Sequence, residues 1–187
     1  MAERRSPAAA FTDRFAAASA SGALELAEIP FLTHVNVRVD PASQAAEEVG
    51  AALGVPLPVE PCTAVRAGEL TVAWLGPDEW LVIAPEGYRS ELLRKAVDGG
   101  SGSVVDVSAQ RTTLRLAGPK ARDVLSHGCT IDLHPTVFGP GACAQTTLAR
   151  TQVVLLPQDD GYLVLVRSSF AAYLAEWLLD AATEQLR

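Results

Sequence analysis

Thr71-Val72-Ala73-Trp74-Leu75-Gly76-Pro77-Asp78-Glu79-Trp80-Leu81-Val82-Ile83-Ala84 decides the fold class of this chain. Two β-favouring runs, 71–75 and 80–84, flank Gly76-Pro77-Asp78-Glu79. Pro77 presets φ for a turn and Asp78 tolerates turn geometry, so the stretch reads as a β-hairpin and the sheet it founds is antiparallel. Upstream, Leu32 to Val39 predicts a strand with Leu32, Val35, Val37 and Val39 as its apolar positions. Asp40 reads as an N-cap and Pro41 as a first helical residue. Ala42, Ala45, Ala46, Val49 and Leu53 then form a helical face that stops at Gly54. Pro56, Pro58 and Pro61 predict irregular chain over 55–68. Downstream, a short helix carries Tyr88, Leu92, Leu93, Ala96 and Val97 on its apolar side and ends at Asp98-Gly99-Gly100-Ser101-Gly102.

The remainder repeats the pattern. Strands are expected over 104–107 and 112–116, then a helix opened by Gly118-Pro119 with Ala121, Val124 and Leu125 inward. His127-Gly128 closes that helix, because glycine suits the position after a helix end. A Pro/Gly-rich connection spans 130–141. Strands follow over 145–150, 152–156 and 162–166, with Pro157 to Gly161 as a turn. Ser168 or Ser169 is expected to cap the last helix. On it Phe170, Tyr173, Leu174, Trp177, Leu178 and Ala181 form an amphipathic stripe. The order β-α-β-β-α, then β-β-α-β-β-β-α, predicts an α+β fold: two split βαβ-like halves of antiparallel sheet with helices. Residues 1–28 are expected to form a flexible arm, 29–102 the first half and 103–187 the second, together one compact unit.

The chain has 187 residues, 49% hydrophobic and 20% charged, with net charge −7. That is enough apolar material for a core. An acidic chain repels nucleic acid and anionic lipid, so neither is expected as a partner. No apolar run approaches the ~20 residues that span a bilayer. The N-terminus, with Arg4, Arg5 and many alanines, lacks the apolar stretch of a signal peptide. Cys62, Cys129 and Cys143 are odd in number and lack CxxC spacing, which fits a reducing cytoplasm better than a disulfide framework.

Catalytic signals are weak. His127, Cys129, Asp132 and His134 cluster within eight residues, but their spacing matches no standard zinc pattern and no fourth ligand is evident. A helix end followed by a structured loop, with the histidines satisfying local backbone, explains them better than a metal site does. Ser108 and Ser126 lie outside any nucleophile elbow, and Cys129 beside His127 reads better as a small buried hydrophobe than as half of a dyad. Gly99 to Gly102 precedes a strand and lacks the lysine of a phosphate loop, so it reads as a linker. Glu47-Glu48, Asp78-Glu79 and Asp159-Asp160 lie on a helix surface and in turns, where paired carboxylates are solvated charge. Trp74, Trp80 and Trp177 are core residues or, alternatively, subunit contacts.

Several segments, in this order, carry a resemblance: Ile29-Pro30-Phe31-Leu32, Asn36-Val37-Arg38, Gly76 to Trp80, Asp106-Val107-Ser108, Arg115 to Leu125, Gly128 to Pro135, Phe138, Gly141, Arg167 to Phe170, and Trp177-Leu178. Together they resemble the gamma subunit family of heterotetrameric sarcosine oxidase. The resemblance implies a fold like that of the folate-binding aminomethyltransferase of the glycine cleavage system. It implies a non-catalytic chain within a complex that demethylates sarcosine to glycine and passes the methyl carbon to tetrahydrofolate. It implies alpha, beta and delta subunits as partners, with FAD, FMN, NAD, zinc and tetrahydrofolate on those subunits and no cofactor, metal or catalytic residue on this chain. Two alternatives stay open: a gamma-like subunit of a related N-methylglutamate dehydrogenase, and a stand-alone folate-binding module. As candidate interface residues we single out Cys129, Asp132 and His134 in the 128–140 loop, and Trp177.

Overall fold

A computed structural model describes residues 4–99 and 102–185. Gly100 and Ser101 of the expected linker lie outside the described residues. The chain divides into two compact units. One holds residues 31–108 and 141–144; the other holds the segment up to Pro30 together with 109–140 and 145–187.

The first of these is built on a five-stranded sheet of order β3-β4-β5-β2-β6, from β2 (Thr33–Arg38), β3 (Ala64–Ala67), β4 (Leu70–Gly76), β5 (Glu79–Ala84) and β6 (Ser103–Asp106). The hairpin forms as expected, with Trp74 opposite Trp80 and a bulge between Trp74 and Gly76. Val35, Val37, Val72, Trp80 and Val82 form a core with Val49 and Leu53 of α2 (Gln44–Leu53) and with Leu93 and Val97 of α3 (Glu91–Val97). Trp80 is fully buried, and its Nε1–H donates to Pro58 O at 2.8 Å. The proline-rich segment thus satisfies the one polar atom that the indole carries into the core. Helix α2 starts three residues later than the capping signal suggests. Asp40 Oδ1 instead accepts from Ala42 N, and Ser43 Oγ accepts from Ala46 N at the true cap. Gly54 ends the helix at φ 76°, a left-handed conformation that glycine adopts without a Cβ penalty. Two further expectations fail here. The irregular stretch 55–68 contains β3, because beyond Pro61 the backbone pairs with β4. Leu92 is exposed rather than on the apolar side of α3.

The other unit has the sheet order β1-β7-β10-β9-β8, from β1 (Glu25–Ile29), β7 (Arg111–Ala117), β8 (Ala144–Leu148), β9 (Thr151–Gln158) and β10 (Gly161–Arg167), with α1 (Thr12–Ser19), α4 (Ala121–Ser126) and α5 (Ala171–Gln185). Here the expected flexible arm is corrected. Phe11, Phe15, Leu24 and Leu26 are buried, and β1 pairs antiparallel with β7. Glu28 fixes the segment by accepting from Ser6 Oγ, Ala8 N and Thr112 Oγ1. Strand β9 runs through Pro157 and Gln158, so the turn before β10 shrinks to Asp159-Asp160. Ser168 does not cap α5. It opens a short 3-10 turn over Ser168–Phe170, and its Oγ donates to Ala109 O. The buried face of α5 is Ala171, Leu174, Ala175, Leu178, Ala181 and Ala182, whereas Phe170 and Tyr173 are exposed. The expected stripe is therefore rotated towards the alanines.

Both sheets follow one plan. The series β2-α2-β3-β4-β5-α3 and β7-α4-β8-β9-β10-α5 place their strands in the same relative order, and β6 and β1 take the equivalent edge beside β2 and β7. The expected boundary at 102/103 assigns β6 to the wrong half, because β6 pairs with β2. The architecture is α+β with antiparallel pairing, as the hairpin indicates.

Candidate functional site

The loop after α4 is set by its first residues. Gly128 N and Cys129 N both donate to Leu125 O, and Ala149 N donates to Gly128 O. Cys129 bridges to Leu148 at the end of β8. Gly128 does not occupy the left-handed region, so its role differs from the expected helix-end one. A Cβ there would lie 2.6 Å from Cζ2 of Trp177 and 3.1 Å from Ala149 N. The Cζ2–Cη2 edge of the indole abuts Gly128, so Trp177 and the loop entrance form one feature. Trp177 and Cys129 are both half-buried, so Cys129 is not the buried hydrophobe, nor Trp177 the core residue, that the sequence suggests.

Further along, Asp132 Oδ1 accepts from His134 N at 2.8 Å, an Asx turn. His134 Nδ1 lies 2.7 Å from Thr136 Oγ1 and accepts from Thr136 N at 3.3 Å. This fixes Nδ1 as the acceptor, so the neutral ring carries its proton on Nε2. His134 O receives Val137 N and Phe138 N. Leu133 and Phe138 are buried and pin the loop, while Asp132 and His134 are exposed. Tyr162 O–H donates to Leu133 O at 3.4 Å from a buried position, and burial raises the phenol's pKa. His127 turns away to α5, with Nε2 2.8 Å from Gln185 Nε2 and Nδ1 3.5 Å from Glu184. The four weighed metal ligands therefore do not converge. Among the described residues no three His, Cys, Asp or Glu side chains are grouped to hold an ion.

Sequence reasoning missed the groove beside this loop. Pro135, Phe138 and Pro140 line it together with Arg122 and Tyr162, and its volume is about 510 Å³. Asp160 stands at its edge. Its carboxyl is held below the usual range first by a hydrogen bond from Arg115 at 2.6 Å, and the same guanidinium reaches Glu25 at 3.3 Å. The carboxylate pairs are mostly engaged: Asp78 with Arg38, Glu79 with the Asn36 amide and Glu48 with Gln44. Of the cysteines, Cys143 is buried and Cys62 is exposed. A family model described as "Sarcosine oxidase, gamma subunit family" matches residues 36–184. The chain belongs to the sarcosine oxidase gamma subunit family. Among the relatives of this family, sarcosine oxidase subunit gamma of an Arthrobacter sp. is 44% identical over 97% of this chain and 91% of its own length. That of Corynebacterium sp. (strain P-1) is 41% identical over the same shares. Among solved structures, a chain of the heterotetrameric sarcosine oxidase from Corynebacterium sp. U-96, in complex with pyrrole 2-carboxylate, superposes with TM-score 0.92 at 36% identity. The match covers 97% of this chain and 95% of that one. Glycine cleavage system aminomethyltransferase T from Bartonella henselae superposes with TM-score 0.62 at 19% identity over 83% of this chain and 45% of that protein. The fold expected from the gamma-family resemblance is thereby found, and this likeness extends to fold alone. No helix among the described residues is long and apolar enough to cross a membrane.

Proposed function

We propose that this chain is the non-catalytic gamma subunit of a cytoplasmic heterotetrameric sarcosine oxidase. The complex it serves demethylates sarcosine to glycine and transfers the methyl carbon to tetrahydrofolate. Its alpha, beta and delta subunits carry FAD, FMN, NAD, zinc and the folate. The observation that carries this reading is the near-complete superposition on a chain of the Corynebacterium complex, at TM-score 0.92 over 97% of the residues. Co-production of the four subunits, with and without this chain, tests it. Omitting the chain should abolish assembly of a flavin-bearing complex that consumes sarcosine. A three-subunit complex with normal yield and normal turnover would overturn the proposal.

Cys129, Asp132, His134 and Trp177 supply a docking surface in this reading. The loop is stiffened by its own hydrogen bonds, exposes Asp132 and His134, and is joined to α5 through the Gly128–Trp177 contact. A pre-ordered loop loses little conformational entropy on binding. Docked on the folate-binding alpha subunit, it helps to exclude water from the path of the one-carbon unit. In an assembled complex, His134→Ala with Asp132→Ala should raise free formaldehyde relative to methylenetetrahydrofolate at constant sarcosine consumption. An unchanged product ratio together with unchanged assembly would remove the loop from this role.

A further inference from the structure

A second polar site lies away from the loop. Arg111, Arg167, Gln145, Thr146, Thr147 and Gln152 line a surface groove of about 220 Å³ in the β1-β7-β10-β9-β8 sheet unit, floored by Val153 and Val154; Arg167, Gln145, Thr147 and Gln152 are exposed. Arg111 and Arg167 are directly opposed across β7 and β10. Continuing the β10–β9 register by one residue brings Gln152 beside Arg167. Like charges directly opposite each other destabilise an antiparallel pair. Sheet stability therefore gives no reason for two guanidiniums at this spot, least of all in a chain of net charge −7. Arg167 forms no ion pair among the described residues, whereas Arg14, Arg38, Arg89 and Arg115 each hold a carboxylate.

We propose that this groove is an oxyanion site for a small carboxylate or phosphate. Guanidinium forks match both anions with two parallel N–H donors, and the amides and hydroxyls of the glutamines and threonines add neutral donors around them. The volume is below the ~300 Å³ at which pockets for drug-sized ligands begin. The site takes an anion of a few heavy atoms, or the charged end of a larger molecule, and not a whole nucleotide or pterin. Its occupant neutralises Arg167, while Arg111, whose Nε donates to Gln110 Oε1 at 3.4 Å, adds positive potential beside it, so anion binding stabilises the folded chain by mass action.

Equilibrium dialysis of the full chain against radiolabelled orthophosphate, and separately against radiolabelled acetate, tests this at fixed ionic strength set with chloride. The expected result is saturable binding of one anion per chain. Arg167→Gln should weaken it at least tenfold, and Arg38→Gln, which alters a surface pair elsewhere, should leave it unchanged. Tighter phosphate binding assigns a tetrahedral ligand, and tighter acetate binding a carboxylate. If Arg167→Gln does not fold by circular dichroism, Thr147→Val carries the test through loss of one donor, with a severalfold weaker affinity expected. Binding that never saturates for either anion, or equal affinity in the folded groove variants, overturns the proposal.

Discussion

Gly128 shows how one missing side chain sets a site. Its φ is unremarkable, so nothing in backbone geometry demands glycine; the Trp177 ring does, by occupying the space of a Cβ at 2.6 Å. Gly128→Ala should destabilise the chain by ~1–3 kcal/mol, the usual range for overpacking, as read by urea denaturation. Coupling the variant to Trp177→Leu should return part of that loss. Full additivity of the two effects would mean that the contact is not the cause. Trp177→Ala alone should cost less than the ~3–5 kcal/mol typical of a fully buried tryptophan, whereas Trp80→Ala should reach that range. Cys143 gives a pH prediction. Burial first, and the neighbouring Cys62 thiol second, push its pKa up to about 11. An unfolded thiol ionises near ~8.5, so above that pH the unfolded chain binds fewer protons than the folded one. The thiol's contribution is complete below ~8.5 and declines as pH rises towards about 11, by at most ~1.4 kcal/mol per pH unit. Urea midpoints at alkaline pH should fall less steeply in Cys143→Ala. Parallel slopes in the two proteins would contradict the assignment.

At the scale of elements, α5 carries the sharpest test. Its buried face is largely alanine, which brings the helix close to its neighbours, while its Tyr173 and Phe170 of the preceding turn face outward. Ala175→Leu should cost ~1–3 kcal/mol by forcing atoms into a packed interface, and Tyr173→Ala should leave the isolated chain's stability within ~0.5 kcal/mol. Equal effects in urea denaturation would mean that the face is misassigned. The rotated phase was hidden from sequence because bulk hydrophobicity weights aromatic rings above alanine, although small size is what close packing selects. The hairpin around Pro77-Asp78 was legible because its turn chemistry is local. Strand β3 was not, because its pairing depends on β4 and its own residues, Ala64-Val65-Arg66-Ala67, alternate only weakly. The N-terminal segment did carry a signal in the i, i+4 pair Phe11 and Phe15 and the i, i+2 pair Leu24 and Leu26, diluted by surrounding alanines. The loop's candidate residues were visible as residue types. The Trp177–Gly128 contact and the opposed arginines were not, because each joins positions far apart in sequence through register and packing.

For the whole molecule, the repeated sheet order gives a frame whose carboxylate pairs are largely used in structure, with Asp160 on Arg115 and Asp78 on Arg38. No convergent set of titratable groups was found in the loop that sequence had marked for chemistry. Function in this reading lies in what the frame holds against other chains. The central claim is assembly as the gamma member of a sarcosine-oxidising heterotetramer. The most direct measurement is affinity purification of the native, tagged chain under mild conditions, followed by mass spectrometry, an absorbance spectrum and a sarcosine-dependent oxygen-uptake assay. The account predicts three further subunits in equal amounts, flavin absorbance in the same fraction and oxygen uptake with sarcosine. A chain that elutes without flavoprotein partners, or partners that turn over a different N-methyl amine and leave sarcosine untouched, would contradict it.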